Sequence, residues 1–391
     1  MAARLSDRTT EPGFASAWRA EWRHLRHSGW DLAFVTVLPL AMLVMLACLL
    51  TRGGMRELPI AVVDADRSGD SRLLERMLDA SPGVSVQARP ATLEDAFSQL
   101  RALEVFAVVY VPRDFSRQMR RGQPIQVIDY YNASYLASGQ SASRDIADAV
   151  NAANVRLLAE HLGTQVGPSK LRPAPVAVQS QVLFNPARSY ALFLLPLAFA
   201  AVLSLGAALA MAAALGRELR DGTLRAWLGT HPLAAITGKL APYVLLFSVY
   251  GWLAAVWVAQ VHGTGVVGSV LLLALGQLLL NLAGAGIALL FVGLQRDMGS
   301  ALSLIGLSVG ASLAFSGATF TTLEGPLFTR VWSAMLPLTA YIKLQMQQLL
   351  VGSPWTVSLA PLGTLLLIAA VSAAVGYLGL MKFARAQEAA R

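Results

Sequence analysis

The sequence predicts a polytopic α-helical membrane protein, with six transmembrane helices and an inserted α/β extracytoplasmic domain. Of its 391 residues, 55% are hydrophobic and only 14% are Asp, Glu, Lys or Arg, whereas a soluble domain carries about a quarter charged residues. Long runs contain no charge at all, and more than half of the charged residues fall in segment 52–188. This pattern excludes a disordered chain, and the runs lack the polar face of helices in a soluble enzyme.

The uncharged runs predict the positions of the spans, because a bilayer core needs about 20 apolar helical residues. Run 240–295 is long enough for two helices, and a polar, glycine-rich turn at 262–265 divides it. The predicted spans are residues 32–51, 190–215, 241–261, 267–294, 299–318 and 357–381. The first is expected to be a retained anchor, since its apolar stretch is too long for a signal peptide.

The basic residues predict the orientation, because Lys and Arg concentrate in short cytoplasmic loops. With the N-terminus inside, the short inner segments hold Arg4, Arg8, Arg19, Arg23, Arg26, Arg217, Arg220, Arg225, Lys239, Arg296, Lys382, Arg385 and Arg391. Both termini, 1–31 and 382–391, are then cytoplasmic. The net charge of +8 therefore indicates a membrane rather than nucleic acid as the partner.

Segment 52–188 alternates strand and helix signals and predicts the α/β domain. Strands are expected at 58–64, 84–88, 106–112 and 125–130, and helices at 71–80, 92–102 and 142–161. The proline-rich stretch 162–188 predicts an extended linker. Asp64, Asp66 and Ser68 lack the further oxygen ligands of a calcium loop, so a turn and helix cap are the better interpretation.

The N-terminal tail contains a basic amphipathic helix. Phe14, Trp18, Trp22 and Leu25 share one face, with Arg19, Arg23 and Arg26 opposite. Such a helix lies in the membrane surface or packs on the protein's own spans, and both can hold together. Glu21 falls within the apolar stripe and needs a basic partner, for which the loop 217–225 is the candidate.

Loop 216–240 is dense in charge, glycine and proline between two very apolar helices. The distinctive residues of this loop and of the start of the next span are Arg217, Glu218, Gly222, Thr223, Pro232, Gly238, Lys239, Pro242 and Tyr243. In this pattern the chain resembles an ABC-2 type exporter permease. Segments 60–72, 111–115, 316–317 and 336–338 resemble further family segments in the same order. The last two resemble the family's outer re-entrant stretch, which is expected at 319–356 before the final span.

The resemblance implies that loop 216–240 is the coupling region that touches a separate ATPase subunit. The implied coupling residues are Arg217, Glu218, Arg220, Asp221, Gly222, Thr223, Pro232 and Lys239. It also implies a second permease copy or a related permease, with a periplasmic adaptor protein as a further candidate partner. The chain departs from the family pattern where Arg220 and Arg225 replace acidic residues and where His231 lengthens the stretch before Pro232.

The chain contains no motor or catalytic motif of its own. Leu233 stands where a Walker A motif requires its first glycine, and Leu240 follows Gly238-Lys239 in place of Ser or Thr. We therefore expect no enzyme activity and no cofactor bound by this chain, with ATP and Mg used by the partner subunit. A single cysteine, Cys48, excludes an intramolecular disulfide and a cysteine-rich metal site.

The predicted function is export of a hydrophobic or amphipathic substrate across the bacterial inner membrane. Spans two and five are the candidates for the pathway. Gln277 and Asn281 lie one turn apart in span four, where they either contact substrate or, preferably, bond a neighbouring helix. The alternatives are a membrane-anchored receptor that uses its outer domain and an ion-coupled carrier. A carrier needs ionisable groups near mid-membrane, and the predicted spans have none.

Overall fold

The structure is a computed structural model that describes residues 13–51, 57–102, 104–121, 126–131, 136–162, 190–261, 265–317 and 326–389. The chain divides into two compact units, each described here by itself. One is made of residues 1–52 and 182–391, and the other of residues 53–181.

The secondary structure elements follow in chain order. The chain begins with α1 (Phe14–His27), α2 (Gly29–Val35) and α3 (Val37–Thr51). The second unit contains β1 (Leu58–Asp64), α4 (Gly69–Asp79), β2 (Val84–Ala88), α5 (Leu93–Arg101), β3 (Ala107–Val111), α6 (Phe115–Arg120), β4 (Ile128–Tyr131) and α7 (Leu136–Leu162). The helical unit resumes with α8 (Tyr190–Arg220), α9 (Leu224–Leu228), α10 (Pro232–Val261), α11 (Val270–Gln295), α12 (Met298–Gly310), α13 (Leu327–Met335), α14 (Pro337–Met346) and α15 (Trp355–Ala389).

Within the described ranges, five helices are long and apolar enough to cross a membrane. They are Gly29–Leu50, Ala191–Arg220, Pro232–Val261, Val270–Gln295 and Trp355–Ala386. Each overlaps one of the spans predicted from the uncharged runs. The chain is therefore a multi-pass, mostly helical protein, and its long apolar helices are the part that a bilayer would surround.

The fifth predicted span, 299–318, differs from the prediction. Its helix α12 has 13 residues and continues as a three-residue 3₁₀ turn, Ala311–Leu313, so it extends for about 25 Å rather than the 30 Å of a bilayer core. The Ser312 and Ser316 hydroxyls donate to the carbonyls of Val309 and Leu313, at 2.6 and 2.7 Å. Absence of charge marks an apolar run but not where its helix ends.

The segment predicted to be re-entrant forms two short helices, α13 and α14. Helix α14 begins at Pro337, and the fixed φ of proline suits the first position of a helix. Helix α14 is largely buried against α11 and α15. Just beyond it, the fully buried Gln348 accepts from the Ser269 amide at 2.7 Å and donates to Ser358 Oγ at 2.7 Å. These bonds attach the end of this segment to the starts of two long helices.

Helices α11 and α15 are the most closely packed pair in the helical unit. A Cβ added at Gly293 would lie 2.3 Å from the Gly376 carbonyl oxygen, and one at Gly376 would lie 2.4 Å from the backbone of Leu289. Only glycine permits this approach, which is the typical way in which membrane helices gain contact area.

The second unit is a four-stranded sheet of order β2-β1-β3-β4 with helices packed against it. Strand β1 pairs in parallel with β2 and β3, and β4 is antiparallel to β3. The strands in the middle are rich in β-branched residues and almost fully buried, as in sheets covered on both faces. Leu74 and Leu78 of α4 and Ile146 of α7 complete the main core.

The secondary structure of this unit agrees with the sequence prediction in most elements but not in all. Strands β1 and β2 have the predicted bounds. Helix α6 was not predicted, β4 begins at Ile128 rather than 125, and α7 begins six residues before 142. Ser68 caps α4 by accepting from the Ser71 amide at 3.1 Å, as the cap interpretation requires. The predicted linker 162–188 lies almost wholly outside the described residues.

Candidate functional site

The candidate site forms where α1 packs against the start of α10. Gly238 permits the contact, since a Cβ there would lie 2.4 Å from the Phe14 carbonyl oxygen and 2.9 Å from Ala17 Cβ. Within α1, Glu21 and Leu25 are the buried residues. The apolar stripe of the helix therefore carries its carboxylate into the protein.

Glu21 is only 3% exposed, and three side chains surround its carboxylate. Its Oε1 pairs with Arg217 Nη2 and accepts from the Tyr243 hydroxyl at 2.6 Å, and its Oε2 lies 3.0 Å from Lys239 Nζ. A buried carboxylate is tolerated only when it is paired and hydrogen-bonded in this way. Arg217 is thus the basic partner that the sequence suggested for Glu21.

Glu218 forms the second half of the cluster. Its Oε1 lies 2.6 Å from Lys239 Nζ, and its Oε2 accepts from the Thr223 hydroxyl at 2.5 Å. The Lys239 ammonium also lies 5.3 Å from the centre of the Trp227 ring, within the range of a cation–π contact. Lys239 therefore joins α1, the end of α8 and the short helix α9.

Asp31 extends the cluster to the start of α2. Its Oδ2 lies 2.8 Å from Arg217 Nη1 and 2.6 Å from His24 Nε2. We call Glu21, Asp31, Arg217, Glu218 and Lys239 the charge cluster. Its three carboxylates and two cations come from α1, α2, α8 and α10, so that the cluster connects the N-terminal helices with both ends of the loop 216–240.

The loop itself is fixed by glycine. Helix α8 ends at Arg220. Two residues later, Gly222 has a φ of 67°, a left-handed conformation that suits glycine. The Gly222 amide donates to the Leu219 carbonyl at 3.3 Å, and the Thr223 amide donates to that of Glu218 at 3.1 Å. Helix α9 then buries Leu224 and Leu228, and Pro232 begins α10.

Arg220 and Asp221 lie on the exposed side of the loop. Their side chains pair at 2.9 Å, and the hydrogen bond from Arg220 lowers the pKa of Asp221 below its ordinary value. Both are largely exposed, so this pair adds little stability. Arg225, on α9, is exposed as well.

Two cavities border the charge cluster. One of about 210 Å³ lies beside Glu218, Thr223, Trp227 and Lys239, against Ala17 and Ala20 of α1. The other, of about 300 Å³, is lined by Arg217 and Asp31 and also by Phe34, Ala213 and Met298. The second cavity is amphipathic, since both charged and apolar side chains line it.

The aromatic residues of α1 are half-buried. Trp18 stacks on Phe14 with ring centres 6.2 Å apart and meets Trp22 edge-on at 6.0 Å, while Trp22 packs on the main helical core. Arg19, Arg23 and Arg26 are exposed. This helix therefore packs on the protein and still presents a basic face.

The amides of α11 lie apart from the charge cluster. Asn281 Nδ2 donates to Ser248 Oγ of α10 at 3.0 Å, which is the helix-bonding interpretation. Gln277 is 2% exposed and lies over Gly251, where an added Cβ would be 2.2 Å from its amide carbon. The structure therefore places these two residues between helices.

Sequence reasoning missed three contributors to the site: His24, Asp31 and the hydroxyl of Tyr243. Asp31 directly precedes the first predicted span, and an acid at that position is a signal that could have been followed. Tyr243 gave no such signal, because only the fold brings its hydroxyl to Glu21.

Comparison with known proteins places the chain in a family. A family model described as "ABC-2 family transporter protein" matches residues 30–378, which includes everything from α2 to most of α15. No curated protein matched the chain.

Proposed function

The chain belongs to the ABC-2 family of transporter proteins, and on this premise we propose that it exports a hydrophobic or amphipathic substrate from the cytoplasm or inner leaflet. As a member of that family it is a membrane permease of an ABC transporter, and its family partner is an ABC ATPase subunit. In our proposal ATP and Mg bind to that separate subunit, because this sequence lacks a Walker A motif. The amphipathic cavity of about 300 Å³ supports the substrate class.

The charge cluster is the observation that carries the proposal. Arg217 and Lys239 are nearly buried, and both pair with the buried Glu21, so in this proposal α1, the end of α8 and the start of α10 move together. The exposed helix end around Arg220 and Asp221 is then the contact for the ATPase. A push on this loop would reach the spans through paired charges rather than through a flexible linker.

The membrane arrangement is part of the proposal. We place both termini and loop 216–240 in the cytoplasm, the domain 52–188 in the periplasm, and the chain in the bacterial inner membrane. Six spans require α12 to cross as well, and its length of about 25 Å needs a locally thinned bilayer or flanking turns to complete the crossing. A second copy or a related permease completes the pathway beside α8 and α12, and an adaptor docks on the periplasmic domain.

The test is co-purification combined with transport. A tagged chain should bring down an ATPase whose hydrolysis drives efflux. The double variant Glu218→Ala with Gly222→Pro should abolish efflux, since it removes the Lys239 partner and forces a left-handed residue to the φ of about −65° that proline requires.

Arg330→Ala is the matched control, because Arg330 is a charged residue of α13, far along the chain from the loop. It should leave efflux unchanged. A chain that never associates with an ATPase, or a double variant with full efflux, contradicts the proposal and favours a receptor role for the periplasmic domain. Efflux that stops with an uncoupler at constant ATP favours an ion-coupled carrier.

A further inference from the structure

A small, mostly apolar cavity with two amide side chains in its lining lies among the helices, away from the charge cluster. It measures about 10 Å³ and is bordered by α8, α10, α11 and α14, with Pro196, Gly251, Gln277, Tyr341 and Gln345 among its lining residues. The surrounding walls are alanine, leucine, valine and phenylalanine side chains of α8 and α10. Polar groups in such surroundings need partners, because there is no bulk water to provide them.

Two of the lining side chains have a buried polar atom without a partner in the part of the chain that the structure describes. They are Gln277, through Nε2, and Gln345, through Oε1, and the two residues are 2% and 4% exposed. One atom is a donor and the other an acceptor. Their helices are in direct contact beside them, since a Cβ added at Gly276 would lie 2.1 Å from Leu344 Cδ2.

We propose that this cavity binds one water molecule, which bridges Gln277 of α11 to Gln345 of α14. Its volume is about that needed for a single water, and a buried water requires two to four polar partners. Water accepts from Gln277 Nε2 and donates to Gln345 Oε1. Tyr341, which also lines the cavity, is close enough to report on the site.

Single and double substitutions test the bridge through the direction of their effects on the thermal unfolding midpoint and through whether those effects add. Gln277→Leu and Gln345→Leu should each lower the thermal unfolding midpoint of the purified full chain, because each leaves the water with one partner fewer. The double variant should lose less than the sum, since it no longer needs the water. Gln260→Leu, at an exposed position of α10, is the control and should show no such coupling.

The opposite results overturn the proposal. If the cavity binds no water, each single variant removes an orphaned polar atom and leaves the midpoint unchanged or raised. Additive losses would mean that the two amides have separate partners.

A second measurement uses the unmodified protein. X-ray hydroxyl-radical labelling generates radicals from bound water, so Tyr341 should be modified although it is 1% exposed, whereas the fully buried Phe247 should not. Equal protection of both rings contradicts the bound water.

Discussion

At the scale of single residues, Glu21 is the position on which the contacts of α1 converge. It accepts or pairs with groups from α8 and α10 while nearly excluded from solvent. A buried ion pair adds little net stability while both partners are present. Removing one partner is costly, because it leaves the other charge buried without compensation. The function of this residue is thus to hold two cations and one hydroxyl in a single arrangement.

Neutralising Glu21 should therefore destabilise the protein strongly. Glu21→Gln leaves Arg217 and Lys239 buried with one partner fewer, and we expect a loss of about 3 kcal/mol in the free energy of unfolding. Thermal unfolding of the purified chain measures it. The matched variant Glu218→Gln, at a more exposed carboxylate, should lose clearly less, and equal losses would show that burial is not the cause.

For Asp129, in the second unit, we predict the opposite effect: neutralising this side chain should stabilise the protein. Burial raises its pKa above the ordinary value, against a hydrogen bond from Ser143 that lowers it, and its Oδ1 has no partner among the described residues. Because the folded state binds this proton more tightly, the contribution of Asp129 to stability is greatest at acidic pH and is lost as pH rises through its folded pKa. Asp129→Asn should therefore stabilise the chain at pH 7.

The pH dependence separates this explanation from a simple change in packing. The difference between Asp129→Asn and the unmodified chain should shrink as pH falls and vanish well below the ordinary Asp pKa of about 3.9, where the carboxyl is protonated in both the folded and the unfolded chain. Urea unfolding at several pH values measures it. A pH-independent difference would contradict the titration of Asp129.

At the scale of elements, the attachment of α1 to α10 depends on one glycine. Gly238→Ala should push the two helices apart, because the new Cβ would lie within 3 Å of Phe14 and Ala17. We expect a lower unfolding midpoint and weaker coupling of ATP hydrolysis to efflux. Gly363→Ala in α15 is the control, since nothing lies within 4 Å of its added Cβ, and it should be neutral or stabilising by about 0.5–1 kcal/mol.

Elements were predictable from the sequence to the extent that a single pattern defines them. Missing charge located the long helices, and short runs rich in apolar residues located β1 and β2. Helix α6 was not predicted because it follows a proline and has only six residues, too few to show a helical period in hydrophobicity. The predicted end of the fifth span, residue 318, does not match the end of α12, because the apolar sequence continues past the point where the helix tightens into a 3₁₀ turn. The partners of Glu21 lie about 200 residues away in the chain, and only the fold brings them together.

At the scale of the whole molecule, the charge cluster links the membrane side of α1 to the membrane side of loop 216–240. Because α1 bonds to the end of α8 and the start of α10, the N-terminal helix and loop 216–240 must lie on the same side of the membrane. Locating either one locates the other, and our proposal places segment 52–188 on the opposite side of the membrane.

Labelling of intact cells should show this arrangement. In a Cys48→Ala background, Arg23→Cys and Arg225→Cys should resist an impermeant thiol reagent, whereas Glu94→Cys, exposed on α5, should react. Permeabilised cells provide the control, and all three sites should react there. Labelling of residue 225 from outside would invert the orientation and contradict the export proposal.

The glycine contacts between α11 and α15 have a mechanical consequence. Two helices whose backbones meet directly, at Gly293 and Gly376, cannot slide or tilt past each other without losing their densest packing. They must therefore move as one rigid body throughout a transport cycle. The movements that such a cycle needs then have to come from the helices around this pair, and a permanent cross-link between α11 and α15 would not stop transport.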